Sequence, residues 1–319
     1  MKCSRFILSM IVLVGALGGC AGHAAEWVRH EPFTSDDLHN GCFADARHGW
    51  IITHATGIIF ATADGGGAWR QAGRVQPVYL ESISFPDAHH GWLGGEHGAL
   101  FRTEDAAETW TEVMMPGDSC SFGVVHFFDE RCGLAAGTDG AHRSAAVFVT
   151  DDAGRTWRPG AVATGARGLT DALARSESGT VLIGGIGAIL RSTDRGLTWS
   201  DAALGAGDVV RGLAFAGDTA AWAVGHKGLV LRSTDDGRAW RETPRFTSNR
   251  LRDVKFIDAR SGFIVGDRDR EPVALWQTTD GGETWTAVEG AFPDLHRIIP
   301  AAGRIWLIGD GGAIFSSPL

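Results

Sequence analysis

Apolar residues along this chain fall into short runs of four to six, separated by turns rich in glycine and aspartate. One stretch reads FPDAHHGWLGGEHGALFRTEDAAETW, and a related stretch, FIDARSGFIVGDRDREPVALWQTTDGGETW, lies nearer the C-terminus. Runs of this length, with apolar and polar residues alternating inside them, are typical of half-buried β-strands. The pattern predicts an all-β chain built from repeated groups of short strands.

An octapeptide that ends in tryptophan marks the repeat. It reads TADGGGAW (62–69), TEDAAETW (103–110), TDDAGRTW (150–157), STDRGLTW (192–199), STDDGRAW (233–240) and TTDGGETW (278–285). The final tryptophan recurs at intervals of 41 to 47 residues. A period of this length with several strands per unit is typical of a β-propeller. The octapeptide resembles the BNR or Asp-box repeat, S/T-x-D-x-G-x-T-W.

A second apolar element precedes each octapeptide and occurs seven times, so one element lacks an octapeptide. The segment EWVRHEPFTSDDLHN, which starts at Glu26, aligns with AWRETPRFTSNRLRD and puts Trp27 in the octapeptide tryptophan position. The sequence therefore predicts a seven-bladed β-propeller with four-stranded antiparallel blades. The N-terminal strand completes the last blade and closes the ring, so that residues 26–319 form one domain.

The tryptophans are predicted to pack between blades rather than to form an aromatic ligand cage, because the repeat itself requires their positions. The octapeptide position is held by Trp27, Trp69, Trp110, Trp157, Trp199, Trp240 and Trp285. The second-strand position is held by Trp50, Trp92, Trp222 and Trp306, and is assigned in the other blades to Leu134, Val181 and Phe263.

The aspartate of each octapeptide is predicted to be structural, because a residue needed once per blade serves the fold rather than catalysis. Its carboxylate can bond backbone N–H groups in the turn between the third and fourth strands. These aspartates are Asp64, Asp105, Asp152, Asp194, Asp235 and Asp280.

The first residues resemble a secretory leader, with a basic MKCSR followed by the apolar FILSMIVLVGALGG, which is too short to span a bilayer comfortably. LGGC (17–20) resembles a bacterial lipobox, so residues 1–19 are predicted to be a signal peptide and Cys20 the lipidated first residue. Cleavage near AGHAA, with release of a soluble periplasmic protein, is the alternative. By general lipoprotein sorting, the residues after Cys20 favour retention at the outer membrane.

The chain has 319 residues and a net charge of −9, which argues against a nucleic-acid partner. Cys42, Cys120 and Cys132 remain after the leader; three thiols allow at most one disulfide, and their spacing matches no metal motif. His54, Glu96, His97 and His226 fall in turns on one ring face, but on separate blades. We therefore predict no metal site and no cofactor.

Loops that differ between blades lie on one face of the ring, where binding sites usually occur. Arg211 and Arg252 occupy the same position in adjacent blades, and Arg250, Arg297 and Arg167 lie in nearby loops. The cluster is predicted to bind carboxylates or an acidic peptide segment. The alternative is that these are solvated loop arginines paired to Asp253 or Asp208.

The two long stretches quoted first resemble the photosystem II stability/assembly factor family, and the resemblance covers nearly all of the chain after the leader. It implies a non-catalytic propeller with an arginine-rich patch that helps to assemble a membrane complex, in photosynthesis for some members. We accordingly expect a monomeric, lipid-anchored envelope protein that binds a membrane protein or its nascent segment.

Two alternatives have different consequences. A sialidase-like or other glycoside hydrolase would need clustered carboxylates facing the channel, with Tyr79 and Glu81 or the insertion GDRDREP (266–272) as sources of reactive groups. A structural subunit of an envelope complex would instead show an exposed apolar patch and no polar pocket.

Overall fold

A computed structural model describes residues 26–75, 79–115, 120–140, 144–162, 166–174, 179–205, 207–301 and 303–319, with only the backbone for 172–174. The predicted signal peptide and Cys20 lie outside the described residues. Among the described residues, no helix has both the length and the apolar composition needed to cross a membrane.

Twenty-eight strands form seven four-stranded antiparallel sheets, counted over the described ranges. Blade 1 contains β2 (Leu38–Phe43), β3 (Gly49–Thr53), β4 (Ile58–Thr62) and β5 (Arg70–Arg74). Blade 2 contains β6 (Leu80–Ser84), β7 (Gly91–Gly95), β8 (Leu100–Thr103) and β9 (Thr111–Glu112). Blade 3 contains β10 (Cys120–Phe127), β11 (Gly133–Asp139), β12 (Ala145–Thr150) and β13 (Arg158–Pro159). Blade 4 contains β14 (Arg167–Ala174), β15 (Val181–Ile186), β16 (Ala188–Ser192) and β17 (Ser200–Ala203).

The last three blades follow the same order. Blade 5 contains β18 (Val210–Ala216), β19 (Ala220–Gly225), β20 (Val230–Ser233) and β21 (Arg241–Glu242), with a 3-10 turn at His226–Gly228. Blade 6 contains β22 (Leu251–Phe256), β23 (Gly262–Gly266), β24 (Leu275–Thr278) and β25 (Thr286–Ala287). Blade 7 contains β26 (Leu295–Ala301), β27 (Arg304–Gly309), β28 (Ile314–Pro318) and β1 (Val28–Arg29), with a 3-10 turn at Asp310–Gly312. The first strands of neighbouring blades contact one another and line the channel.

The ring closes through the N-terminal strand, as the sequence predicted. β1 pairs antiparallel with β28, with Val28 opposite Ser316 and Arg29 opposite Phe315. Trp27 packs edge-on against Phe263 of blade 6, with ring centroids 5.5 Å apart. Because the first and last segments of the domain share one sheet, blade 7 has four strands, as the other six blades do.

The hydrophobic core is divided into seven clusters, one between each pair of adjacent blades of the described chain. Trp50 of blade 1 stacks on Phe85 of blade 2 at 3.6 Å between ring centroids, and both are buried. The apolar faces of each sheet are thus covered by the next sheet. Since no blade can cover its own faces, the stability of each one depends on its neighbours.

Six box turns between third and fourth strands repeat one hydrogen-bond pattern on the rim. The Ser or Thr that opens each box donates its hydroxyl to the box aspartate at 2.7 to 2.9 Å. The same carboxylate accepts the backbone N–H four residues further on, at 2.9 to 3.0 Å. These hydrogen bonds link the ends of each turn through the carboxylates of Asp64, Asp105, Asp152, Asp194, Asp235 and Asp280.

Each box glycine packs on the second-strand side chain of the preceding blade. The space for a Cβ at Gly66 is taken by Trp306, at Gly154 by Trp92 and at Gly237 by Leu182. Leu182, opposite Arg191, has the same strand register as Trp222, opposite Arg232. The assignment of Val181 to the second-strand position was therefore wrong by one residue. Blade 4 has neither a glycine before this position nor an aromatic residue at it, whereas each other blade has at least one of the two.

Candidate functional site at the channel mouth

A β-bulge near the start of each first strand builds one end of the channel. In blade 1, Leu38 and Asn40 both pair with β3 but the residue between them does not, and the other first strands show register shifts at the matching place. A bulge turns its extra side chain out of the ladder. In five blades this bulge position carries a charged or titratable residue: His39, Glu81, Arg211, Arg252 and His296. We call this ring, with its adjoining loops, the channel mouth.

Blades 5 and 6 place three of the predicted arginines together at the mouth. Arg252 makes two bonds to Asp267, at 2.6 and 3.1 Å, and Arg250 lies 3.2 Å from the same carboxylate. Arg211 donates its Nε to His226 Nε2 at 3.2 Å. Asp267 is 4% exposed, so one buried carboxylate serves two guanidinium groups while the third faces a neutral imidazole.

The positive charges of these three arginines lie close together and repel one another. Burial lowers the pKa of Arg211, and the nearby Arg252 and Arg250 lower it further. Burial, followed by the charges of Arg211, Arg250 and Arg252, lowers the pKa of His226 to about 4. His226 is therefore uncharged at neutral pH and accepts the hydrogen bond from Arg211. An anionic group that entered this half of the mouth would relieve the repulsion.

Arg297 lies deeper, inside the channel, and joins blades on opposite sides of the ring. Its Nη1 is 3.0 Å from Asp171 of blade 4 and 3.7 Å from Asp253 of blade 6. Burial alone would lower its pKa, but the charges of Asp171 and Asp253 outweigh that effect and raise it. Lys255 also contacts Asp253, at 2.9 Å. Arg297 is thus part of a compensated buried network.

Backbone N–H groups of adjacent blades complete this network. Leu213 N–H donates to Asp171 and Ile298 N–H donates to Asp253, both at 3.0 Å. Both carboxylates are almost fully buried. They accordingly hold neighbouring first strands together around a cavity of about 150 Å³.

Arg167 opens the first strand of blade 4 and is exposed. Of the alternative pairings with Asp253 or Asp208, the described residues show one, since Arg297 lies 3.7 Å from Asp253. Arg250 and Arg252 instead pair with Asp267, and Asp208 accepts a hydrogen bond from Gly205 N–H in its own loop. Asp267 belongs to the insertion at 266–272, which was considered from the sequence as a source of reactive groups for a hydrolase. Its side chain is buried and pairs with Arg250 and Arg252.

The other half of the mouth is built from histidines and carboxylates. His39 Nε2 lies 3.2 Å from Glu81 and His54 Nδ1 lies 3.7 Å from it. His296 Nε2 lies 2.9 Å from Asp310. Burial lowers the pKa of His39 to about 4, although the hydrogen bond and charge of Glu81 oppose the shift. Of the four residues considered at the outset for a metal, His54 lies here, whereas His226 contacts Arg211.

Sequence reasoning missed most of this second half. It matched Arg211 with Arg252 but did not extend the comparison to the other blades, where LHN, LES and LHR occupy the same place as VRG and LRD. Aligning the residue that follows Leu38, Leu80 and Leu295 would have found His39, Glu81 and His296. Asp171 carries no comparable signal, because its contact with Arg297 joins residues 126 positions apart in sequence.

Fold and site together define a seven-bladed Asp-box propeller with a polar, charged channel mouth. The family model described as "Photosynthesis system II assembly factor YCF48" matches residues 21–183, and the chain belongs to that family. The resemblance inferred from the sequence is therefore confirmed. A family of assembly factors is not one of enzymes, in agreement with the prediction that the chain has no catalytic activity.

Individual relatives agree with this assignment. The chain is 27% identical over 207 residues to the photosystem II assembly lipoprotein Ycf48 of Synechococcus sp. (strain CC9902), covering 60% of this chain and 59% of the relative. It is 28% identical over 120 residues to photosystem II assembly protein Ycf48 of Thermosynechococcus vestitus, covering 36% and 34%. The matches thus span less than two thirds of these curated relatives.

Among solved structures, one described as YCF48 bound to D1 peptide superposes on this chain with a TM-score of 0.74. It shares 19% of its residues with this chain and covers 94% of this chain and 97% of its own. At this identity the likeness establishes the fold.

Proposed function

We propose that this protein is an assembly or stability factor whose channel mouth binds an extended segment of a membrane protein. Arg211, Arg250 and Arg252 are the principal anchors, and they bind carboxylates of the segment. Arg297 supports the site from below, and Arg167 extends it along blade 4. An assembly factor of this kind keeps an incompletely assembled segment from making wrong contacts until its proper neighbour arrives.

The observation that carries the proposal is the imbalance of charge at blades 5 and 6. Two guanidinium groups, those of Arg250 and Arg252, share one buried carboxylate, Asp267, whereas the guanidinium group of Arg211 contacts a neutral histidine. On a protein with a net charge of −9, such a positive site is local and directional. Guanidinium groups bind carboxylates in a two-pronged geometry, which gives a site of this kind specificity as well as attraction.

The comparisons add support of a different kind. A family member of the same fold has been solved with a D1 peptide, so a propeller of this fold can bind a peptide. The Synechococcus relative is named a lipoprotein. We propose correspondingly that this chain is anchored through Cys20 in the cell envelope, facing the periplasm from the outer membrane, and that it acts as a monomer.

The hydrolase alternative is weaker at the channel itself. Asp171 and Asp253 face the channel, as that alternative requires, but each is bonded to a backbone N–H and lies beside Arg297. Glu81 contacts two histidines, and Tyr79 lies against the ring of His54 at 5.0 Å between centroids. Carboxylates engaged in this way are poorly placed to act as a general acid and base pair.

Co-purification from a gently solubilised envelope tests the proposal. The tagged protein is compared with the double variant Arg211→Glu/Arg252→Glu, and bound proteins are identified by mass spectrometry. We expect a membrane protein in near-stoichiometric amount with the wild type and a loss of at least about tenfold with the variant, because reversing two anchors turns attraction into repulsion.

A matched control reverses two arginines on the opposite face. Arg131 and Arg260 each donate Nε to a carbonyl of a box turn, at 3.3 Å, and lie away from the mouth. The double variant Arg131→Glu/Arg260→Glu carries the same change of charge and should retain the partner. Equal loss in both variants would show that overall charge decides binding, and recovery of no partner by the wild type would exclude the assembly role.

A further inference from the structure

The histidine half of the mouth contains a group of side chains whose chemistry differs from that of the arginine half. Ligating atoms of His39, His54 and Glu81 all lie within 4.8 Å of one another, the one such group of three found among the described residues. His39 Nε2 and Glu81 Oε2 are already 3.2 Å apart. The imidazole rings of His39 and His54 lie 4.7 Å apart between centroids.

The fold itself brings these residues together. His39 and Glu81 are the bulge residues of adjacent blades, so the same irregularity turns both side chains towards the mouth. His54 follows β3 and reaches across to blade 2, where its Nδ1 lies 3.1 Å from the carbonyl oxygen of Leu80. All three side chains are partly exposed, at 21%, 35% and 27% for His39, His54 and Glu81, so an ion from solvent can reach them.

The donor set is the one that zinc uses with an open coordination position. Two imidazole nitrogens and one carboxylate are common ligands of Zn²⁺, with bonds of about 2.0–2.2 Å. Tetrahedral geometry at those bond lengths places ligand atoms about 3.4 Å apart, so the separations in this group need to close by at most about 1.4 Å. Such a change is within the reach of side-chain rotation at a solvent-accessible site.

The surroundings resemble the outer shell of a metal site. Carbonyl oxygens commonly orient metal-binding histidines, and the carbonyl oxygen of Leu80 lies 3.1 Å from Nδ1 of His54. His296 makes the corresponding contact with Leu38, at 3.1 Å, and its ring centroid is 5.9 Å from that of His39. Asp310 holds the other nitrogen of His296 at 2.9 Å.

We propose that His39, His54 and Glu81 form a Zn²⁺-binding site at the channel mouth, with water in the fourth position. This site departs from the sequence prediction of no metal, which considered histidines of distant blades and not the bulge position. The ion ties blade 1 to blade 2 and offsets the negative charge of Glu81. The proposal does not depend on the identity of any protein partner.

Calorimetric titration of the protein with Zn²⁺ tests the site. The protein is purified in detergent, stripped with EDTA and dialysed, and then titrated with zinc chloride alone. We expect one ion per chain with a dissociation constant in the micromolar range or tighter. Glu81→Gln and His54→Asn should each weaken binding by at least about tenfold, since even outer-shell partners of zinc ligands contribute that much.

Two controls separate this site from adventitious binding. His48 and His90 each pair with an aspartate at 2.8 Å in the turns of the opposite face, so His48→Asn/His90→Asn removes two histidine–carboxylate pairs without touching the mouth. This double variant should bind zinc as the wild type does. Thermal unfolding in EDTA establishes that each variant is folded, and zinc should raise the midpoint for the wild type and the control.

The outcomes are distinct. Absorption of bound Co²⁺ between 500 and 700 nm with the intensity of a four-coordinate site, lost in Glu81→Gln, would support the assignment of ligands. Wild-type protein that takes up no stoichiometric zinc, or a folded Glu81→Gln that binds as tightly as wild type, would overturn it. Partner capture is measured separately in EDTA, so failure of the zinc site leaves the proposed function to its own test.

Discussion

At the rim, the six box turns repeat the same hydrogen bonds from blade to blade, whereas at the channel mouth the equivalent bulge positions carry His, Glu or Arg in five of the seven blades. Each box on the rim uses its opening Ser or Thr and its aspartate for the same hydrogen bonds, and its glycine for the same packing contact. The reason is that the contact between adjacent blades has the same geometry around the ring. At the mouth, the backbone is equally regular, but the side chains are free to differ. The comparison indicates that the rim residues stabilise the fold, whereas the residues of the channel mouth are available for binding.

Arg297 differs from the other arginines of the site because it is part of a buried network of compensated charges. Replacing it should have the largest effect on the unfolding free energy. Arg297→Leu removes the cation that contacts Asp171 and leaves Lys255 as the cation beside Asp253, and breaking a buried pair in this way costs about 3–5 kcal/mol. Arg211→Leu removes a bond to a neutral histidine and relieves repulsion from Arg252, so its unfolding free energy should stay within about 1 kcal/mol of wild type. Urea unfolding measures both. Equal costs would show that Arg211 is as structural as Arg297.

A box aspartate should have the next largest effect. Asp152 accepts bonds from the Thr150 hydroxyl and from the backbone and hydroxyl of Thr156, at 2.6 to 2.9 Å. Loss of these charge-assisted bonds in Asp152→Ala should cost about 2–3 kcal/mol in urea unfolding at neutral pH. Partner capture per folded molecule should not change; a selective loss of capture would contradict the assignment of the rim to structure.

The same variant has a pH dependence with a defined sign. Burial raises the pKa of Asp152, but the hydrogen bonds from Thr156 and Thr150 outweigh it, and the pKa falls to about 2. A carboxylate with a lowered folded pKa stabilises the fold above its unfolded pKa of about 3.9. The difference in unfolding free energy between wild type and Asp152→Ala should therefore be complete above about pH 5 and shrink as the pH falls towards about 2. A constant difference would show that the bonds do not depend on ionisation.

Substitutions at the box glycine position should have the smallest effect on the unfolding free energy. Blade 2, which has an alanine there, allows a comparison within the same chain. Blade 2 has Ala107 where the other boxes have glycine, and its φ is +78°. Ala107→Gly should stabilise the fold by about 0.5–1 kcal/mol, because an L-residue is strained in that conformation. Gly66→Ala places a Cβ against the Trp306 ring at φ +93° and should cost about 1–2 kcal/mol. Thermal unfolding measures both; changes of the same sign would show that blade 2 has adapted to its alanine.

The repeated parts of the molecule could be predicted from the sequence because several copies of one pattern define each position better than a single copy does. Trp27 could be placed in blade 7 since six other tryptophans defined its position. The misplacement of Val181 arose where blade 4 lacks the usual glycine and aromatic. The arginine group was found from one matched pair, Arg211 and Arg252, but its buried counter-charge was not, since Asp267 lies in an insertion that no other blade shares.

The sequence by itself determined the architecture. A repeat that occurs six times in the chain predicts the seven blades, the closing strand and a structural role for the box residues. Only the tertiary structure decided which charges meet. Arg297 contacts Asp171 across 126 positions of sequence separation, and His39, His54 and Glu81 converge from two blades. Turns and the strand pairs within blades 1 to 6 join segments that are close along the chain, and the pairing of β1 with β28 follows from the repeat. Contacts across the channel depend on the closure of the ring, which brings together residues that have no fixed spacing in sequence.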